Sequence, residues 1–218
     1  MTGSIRLAGR TLARCQALQL LFQAEVTGRA VSDVLDGDYV LSKGPLDEYG
    51  REIALGTYEH EAELDSVLSH AAHNWSLSRM SGVDRNLLRL SLYEMLYVEE
   101  VQTPVVISEC VELAKAFGSS DESSRFVNGV LGRIATDVAN GKDVVEAARK
   151  LDAEEAAAYE RARQEDRYSD DAYSDEALDA DEGAYDTYDA NASADGDGSD
   201  GSDGARADAD AAGDGRAE

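Results

Sequence analysis

Cysteine is scarce in this chain. Cys15 and Cys110 are the only two, they lie far apart, and no CxxC pair occurs. This excludes a disulfide framework and fits free thiols in a reducing compartment. Proline is as rare: Pro45 and Pro104 stand alone, and neither interrupts an apolar stripe. No run of 18 successive apolar residues exists, so no membrane span is expected. The N-terminal stretch RTLARCQALQLLF is broken by Gln16, Gln19 and, just beyond it, Gln23. No small-residue cleavage site follows, so it does not read as a secretory signal. The chain is therefore expected to be cytoplasmic. A Walker loop, GxGxxG, GxSxG and HExxH are all missing, which leaves an enzyme reading and a cofactor without support. Of the three histidines, His70 and His73 could share a helix face, but no third ligand stands nearby, and solvated histidines are the simpler reading.

Basic residues are sparse in the last third. Residues 152–218 hold 23 acidic and 5 basic side chains, against 22 and 15 in residues 1–151. That last third contains no Val, Ile, Phe or Trp and a single Leu. It cannot bury enough apolar surface to offset its chain entropy. The expected organisation is a flexible basic N-terminus over 1–8, a helical domain over 9–140, a C-terminal helix over 141–164 and a disordered acidic tail over 165–218. The overall net charge of −25 says little about nucleic acid, because most of it sits in the tail.

What is present is helical periodicity. It predicts helices over about 10–26, ended by Gly28, and over 31–35. A long helix from Pro45 follows, with Ile53, Leu64, Val67 and Leu68 inward. NWSLSRM reads as a short helix or turn anchored by Trp75. Ser81 or Asp84 caps a helix bearing Leu87, Leu88, Leu92, Met95 and Leu96. Pro104 opens another that stops at Gly118. No convincing strand appears, so the fold class is all-α, a bundle of six or seven helices.

The stretch RFVNGVLGRI (125–134) poses a problem. Asn-Gly favours hairpin turns, yet Phe126, Val127, Val130, Leu131 and Ile134 make one helical stripe. Each glycine costs a helix about 1 kcal/mol against alanine. Close approach of a second helix at Gly129 and Gly132 would offset that cost. Arg6, Arg10 and Arg14 are spaced by four, in a segment without acids. Positive charge at a helix start opposes the helix dipole, so an anionic ligand is one reason for it, and a solvated first turn is the other. Arg125 and Phe126 add a charge and a stacking surface suited to single-stranded RNA, although spacing by itself assigns Phe126 to the core.

Val83–Ala135 resembles the C-terminal half of the NusB family. The pattern LR-L-YE (Leu88, Arg89, Leu92, Tyr93, Glu94), then VELAKAFG and FVNGVL, occur in the family's order. NWSLSRM and AR-QALQLLFQAE resemble it too, so the likeness covers about residues 8–140. It implies an all-helical fold of two small subdomains without catalytic activity. It also implies pairing with NusE, a small-subunit ribosomal protein, and binding of boxA RNA in ribosomal-RNA transcripts within an antitermination assembly on RNA polymerase. Carried onto this chain, the RNA surface comprises Arg6, Arg10, Arg14, Phe117, Glu122 and Phe126, and Arg125 joins it from its place after the polar cap. Asp84 and Arg85 are the residues facing NusE. The resemblance leaves monomer and homodimer open. An RNA methyltransferase, which carries such a domain before its catalytic part, is excluded because no α/β domain follows residue 140. The competing reading is a helical protein-interaction module with weak or lost RNA binding.

Overall fold

The first helix, α1 (Gly9–Thr27), shows how the fold is specified locally. It ends at Gly28, whose φ of 64° lies in the left-handed region where glycine carries no steric cost. One of its faces is polar for a structural reason. Gln16 donates to the carbonyls of Lys43 and Pro45 and accepts from the Asp47 N–H. Gln19 binds Ser42, and Gln23 binds the backbone of Val40 on both sides. The three glutamines that interrupt the apolar run thus fasten the loop over 38–47 along the helix.

The computed structural model describes residues 7–72, 76–120 and 122–178. Among them run α1, α2 (Val31–Leu35), α3 (Glu48–Glu59), α4 (Glu61–Ala71), a 3₁₀ turn at Leu77–Arg79, α5 (Gly82–Tyr97), α6 (Thr103–Phe117), α7 (Ser123–Ala139) and α8 (Val144–Leu178). This is an all-α fold with eight α-helices among the described residues, one or two more than expected. The extra one arises because the helix expected to run unbroken from Pro45 is divided at His60, which ends α3 and starts α4. Its ring bonds the Gly56 carbonyl and stacks on Tyr93 and Tyr97, with centroids 5.5 and 4.4 Å away. Pro45 lies ahead of α3, whose cap is Asp47. Trp75 lies outside the described residues.

Met1–Tyr168 and Ser169–Glu218 form separate units. In the first, α5 is central and touches α1, α3, α4, α6 and α7. Leu87, Leu88, Leu90 and Leu92 are all buried, so α5 is enclosed on every side. Its polar residues must then find partners inside. Asn86 binds Glu25. Arg89 grips Asp65 with two bonds of 2.6 Å and reaches Glu61 at 3.0 Å. The burial of Arg89 disfavours its charge, but Asp65, with Glu61 and Glu25, together outweighs this and holds its pKa above the ordinary value. The charged residues of the LR-L-YE pattern are therefore interior fasteners.

The glycines of α7 do not do what their spacing predicts. A Cβ at Gly129 or Gly132 would meet nothing within 4 Å. Gly132 and Asn128 instead line an open groove of about 730 Å³ between α6 and α7. Close approach occurs at Gly50, where a Cβ would lie 2.7 Å from the Ala13 carbonyl oxygen. This glycine lets the first turn of α3 press onto α1.

The C-terminal helix continues beyond residue 164, so residues 165–178, expected in the tail, are helical in backbone. Residues 179–218 lie outside the described residues. Helix α8 is anchored by its first turns, where Val144 and Ala148 are buried. Asp152 accepts from Ser66 and pairs with His70, and Arg149 pairs with Glu63. His70 is thus engaged rather than merely solvated, and His73 lies outside the described residues.

Candidate nucleic-acid interface

Helix α1 begins without an acid in its first turn and without a side-chain cap. Its N-terminal dipole is uncompensated, and Arg10 sits exposed within that turn. The Arg10 guanidinium carbon lies over the Tyr49 ring, 4.7 Å from its centre. Arg6 lies outside the described residues. Arg14 departs from the expected ridge: it is only 4% exposed, and its Nε and Nη2 bind the two Glu94 oxygens at 2.7 and 2.8 Å. The reason is positional. One turn beyond Arg10 the helix has already entered the core, with Ala13 and Ala17 at 0% exposure. Burial disfavours the Arg14 charge, but Glu94, with Tyr49 and Glu109, together more than compensates and raises its pKa. Tyr49 donates its hydroxyl to the same carboxylate. Burial first, and then Glu94, push the Tyr49 hydroxyl pKa well above its ordinary value.

A second region forms where the start of α5 meets the α6–α7 turn. Ser81 caps α5 and bonds the Asp84 carboxylate. Ser119 and Ser123 donate to the same Oδ2, at 2.5 and 3.1 Å. Asp84 thereby pins the turn that leads into α7. Its Oδ1 is buried and has no hydrogen-bond partner among the described residues. Arg85 is also committed inward, donating to the Leu77 and Met80 carbonyls and pairing with Glu25. Asp84 and Arg85, expected to face a protein partner, are therefore occupied by their own chain. Both lie in the first turn of α5, where the α6–α7 turn closes on Asp84 and the segment before α5, with Glu25 of α1, closes on Arg85.

Around this knot the remaining expected residues gather. A hollow of about 400 Å³ is lined by Arg79, Asp84, Ser120, Glu122, Arg125 and Phe126. The Arg125 side chain is 79% exposed and pairs with Glu122 on the next turn back. Such an exposed pair contributes little to stability and leaves the guanidinium available. Phe126 is half-buried against the core. Across the first turn of α5 lies an apolar hollow of about 470 Å³, lined by Phe22, Val40, Val83 and Phe117 among others. Phe22 and Phe117 are large apolar side chains left 39% and 38% exposed. Aromatic faces beside arginines are what unstacked bases and phosphates require. Sequence reading missed Tyr49, Phe22 and Arg79. Phe22 carried a misleading signal, since its spacing assigns it to the core, and isolated Tyr49 and Arg79 carried none.

No group of three or more His, Cys, Asp or Glu residues suited to a metal occurs among the described residues. No described helix is long and apolar enough to cross a membrane.

Comparison with known proteins agrees with this architecture. The transcription antitermination protein NusB of Chloroflexus aggregans is 45% identical over 141 residues, covering 62% of this chain and 92% of the relative. The protein of the same name from Elusimicrobium minutum is 46% identical, covering 63% of this chain and 100% of the relative. A crystal form of T. maritima NusB superposes with a TM-score of 0.52 at 33% identity, covering 61% of this chain and 94% of that one. The model of the NusB family matches residues 11–136, which takes in the start of α5 and the α6–α7 turn, and the chain belongs to that family.

Proposed function

We propose that this protein is a cytoplasmic, non-enzymatic transcription antitermination factor. In this reading it binds boxA-type single-stranded RNA of ribosomal-RNA transcripts together with NusE, within an antitermination assembly on RNA polymerase. The observation that carries the reading is the convergence of Phe117, Glu122, Arg125 and Phe126 on the surface around the start of α5. Arg10 adds an exposed cation at an uncapped helix start. The curated relatives named above are transcription antitermination proteins, which supports the same reading.

The test is fluorescence anisotropy of a labelled boxA RNA, with and without NusE, at two salt concentrations. The expected result is binding that strengthens with NusE and weakens in an Arg10→Ala, Arg125→Ala double variant. With about three phosphate contacts, log affinity should fall with log salt at a slope of about −2. Absence of binding even with NusE overturns the proposal. It would favour a helical protein-interaction module, for which the withdrawal of Arg14 into the core already argues.

A further inference from the structure

We infer that Tyr49 is a positioning residue for RNA: it holds the exposed Arg10 guanidinium by its flat face, so that the edge is presented to a phosphate. The inference rests on the RNA-binding reading above. Its basis is a relay of contacts that runs from the core to the surface.

Gly50 sits against the Ala13 carbonyl, so the first turn of α3 lies directly on α1. This places Tyr49, the preceding residue, between Arg14 on the inner side and Arg10 on the outer side. Tyr49 cannot swing away freely, because its hydroxyl is held by Glu94 Oε1. Glu94 is itself held by two bonds from buried Arg14 and is 1% exposed. The ring is thus fixed from below, and the Arg10 guanidinium rests on it at 4.7 Å. Among the described residues no carboxylate pairs with Arg10, although Arg14 one turn on has two acidic neighbours.

A guanidinium carries its five N–H donors in its own plane. Stacking covers a face and leaves those donors directed outward, which is the presentation a phosphate takes in a bidentate bond. An unstacked arginine at a helix start would sample many rotamers and lose that freedom on binding. Tyr49 removes part of the loss in advance. Arg14, which cannot reach RNA itself, contributes by holding Glu94 and hence the ring.

The test is a double-mutant cycle on the full chain, read by anisotropy of the labelled boxA RNA with NusE, at about 50 and about 200 mM salt. The variants are Arg10→Ala, Tyr49→Leu and both together, each checked as folded by circular dichroism at the assay temperature. Arg10→Ala and Tyr49→Leu are each expected to weaken binding about two- to fivefold, and the double variant no further than Arg10→Ala alone. Tyr49→Phe, which keeps the ring but frees it from Glu94, should fall between the unaltered protein and Tyr49→Leu. Arg10→Lys, which keeps the charge but not the planar stack, should lose part of it while Tyr49 is intact. Independent multiplication of the two losses overturns the inference. So does full affinity in Tyr49→Leu or Arg10→Lys, or a silent Arg10→Ala in a protein that still binds RNA. Failure of the unaltered protein to bind RNA overturns the RNA-binding reading itself, and the inference with it.

Discussion

Arg14 and Glu94 form a two-bond ion pair, 2.7 and 2.8 Å long, that ties α1 to α5 with both side chains buried. Removing either partner leaves an uncompensated buried charge, which costs about 3–5 kcal/mol. Arg14→Ala and Glu94→Gln should each lower the unfolding free energy from urea titration by that amount. Arg14→Met with Glu94→Leu should be milder than the sum of the two single losses, because no charge is then stranded. Arg10→Ala, on the surface, should change that free energy by less than about 1 kcal/mol. Comparable effects at positions 10 and 14 would contradict the burial difference.

Glycine substitutions should have opposite signs in α3 and α7. At Gly50 a Cβ meets the Ala13 backbone, which cannot give way as a flexible side chain would. Gly50→Ala should destabilise by about 1–3 kcal/mol. At Gly129 and Gly132 the added methyl meets open space inside a helix. Alanine there should stabilise by up to about 1 kcal/mol. Thermal unfolding of the three single variants checks the contrast.

Gln16 is 1% exposed and completes three backbone hydrogen bonds of the loop ahead of α3. Gln16→Leu would leave two carbonyls and one N–H without their partner, at a cost of about 2 kcal/mol or more. Amide exchange at Asp47 should rise in the same variant. An unchanged exchange rate there would show that the loop holds without the side chain.

Cys110 is buried, and burial pushes its thiol pKa up to about 12 from an ordinary 9.0. A raised folded-state value means that the folded chain keeps its proton longer than the unfolded chain. The associated stability is complete below pH 9.0 and is lost progressively as pH rises toward about 12. Iodoacetamide at pH 8 should therefore label Cys110 only as fast as the native state opens. Rapid labelling of the folded protein would overturn its placement in the core.

Much of the fold was legible in the sequence because its causes are local. Val31–Leu35, Gly28 as a helix stop and Ser81 as a cap follow from residue type and spacing alone. The break at His60 was not legible, since the apolar stripe on either side is continuous and the ring's partners, Tyr93 and Tyr97, come from α5. The site divided in the same way. Phe117, Glu122 and Phe126 were identified by resemblance and Arg125 by its charge after a polar cap, and all four lie around the start of α5. Asp84 and Arg85 were assigned outward, but Ser119 and Ser123, distant in sequence, bind Asp84, and the nearby Leu77 and Met80 carbonyls bind Arg85.

By itself the sequence determined an all-helical domain with its caps and stops, an acidic extension poor in apolar residues, and membership of a family read from ordered motifs. Only the tertiary structure decided which charges face water. Arg10 and Arg14 are four residues apart and close in helical phase, yet one ends exposed over a half-buried tyrosine and the other on a buried carboxylate. Helical spacing sets direction around an axis. How far along that axis the neighbouring helices extend is set by long-range packing, here by Gly50 against Ala13 and by Glu94 on α5.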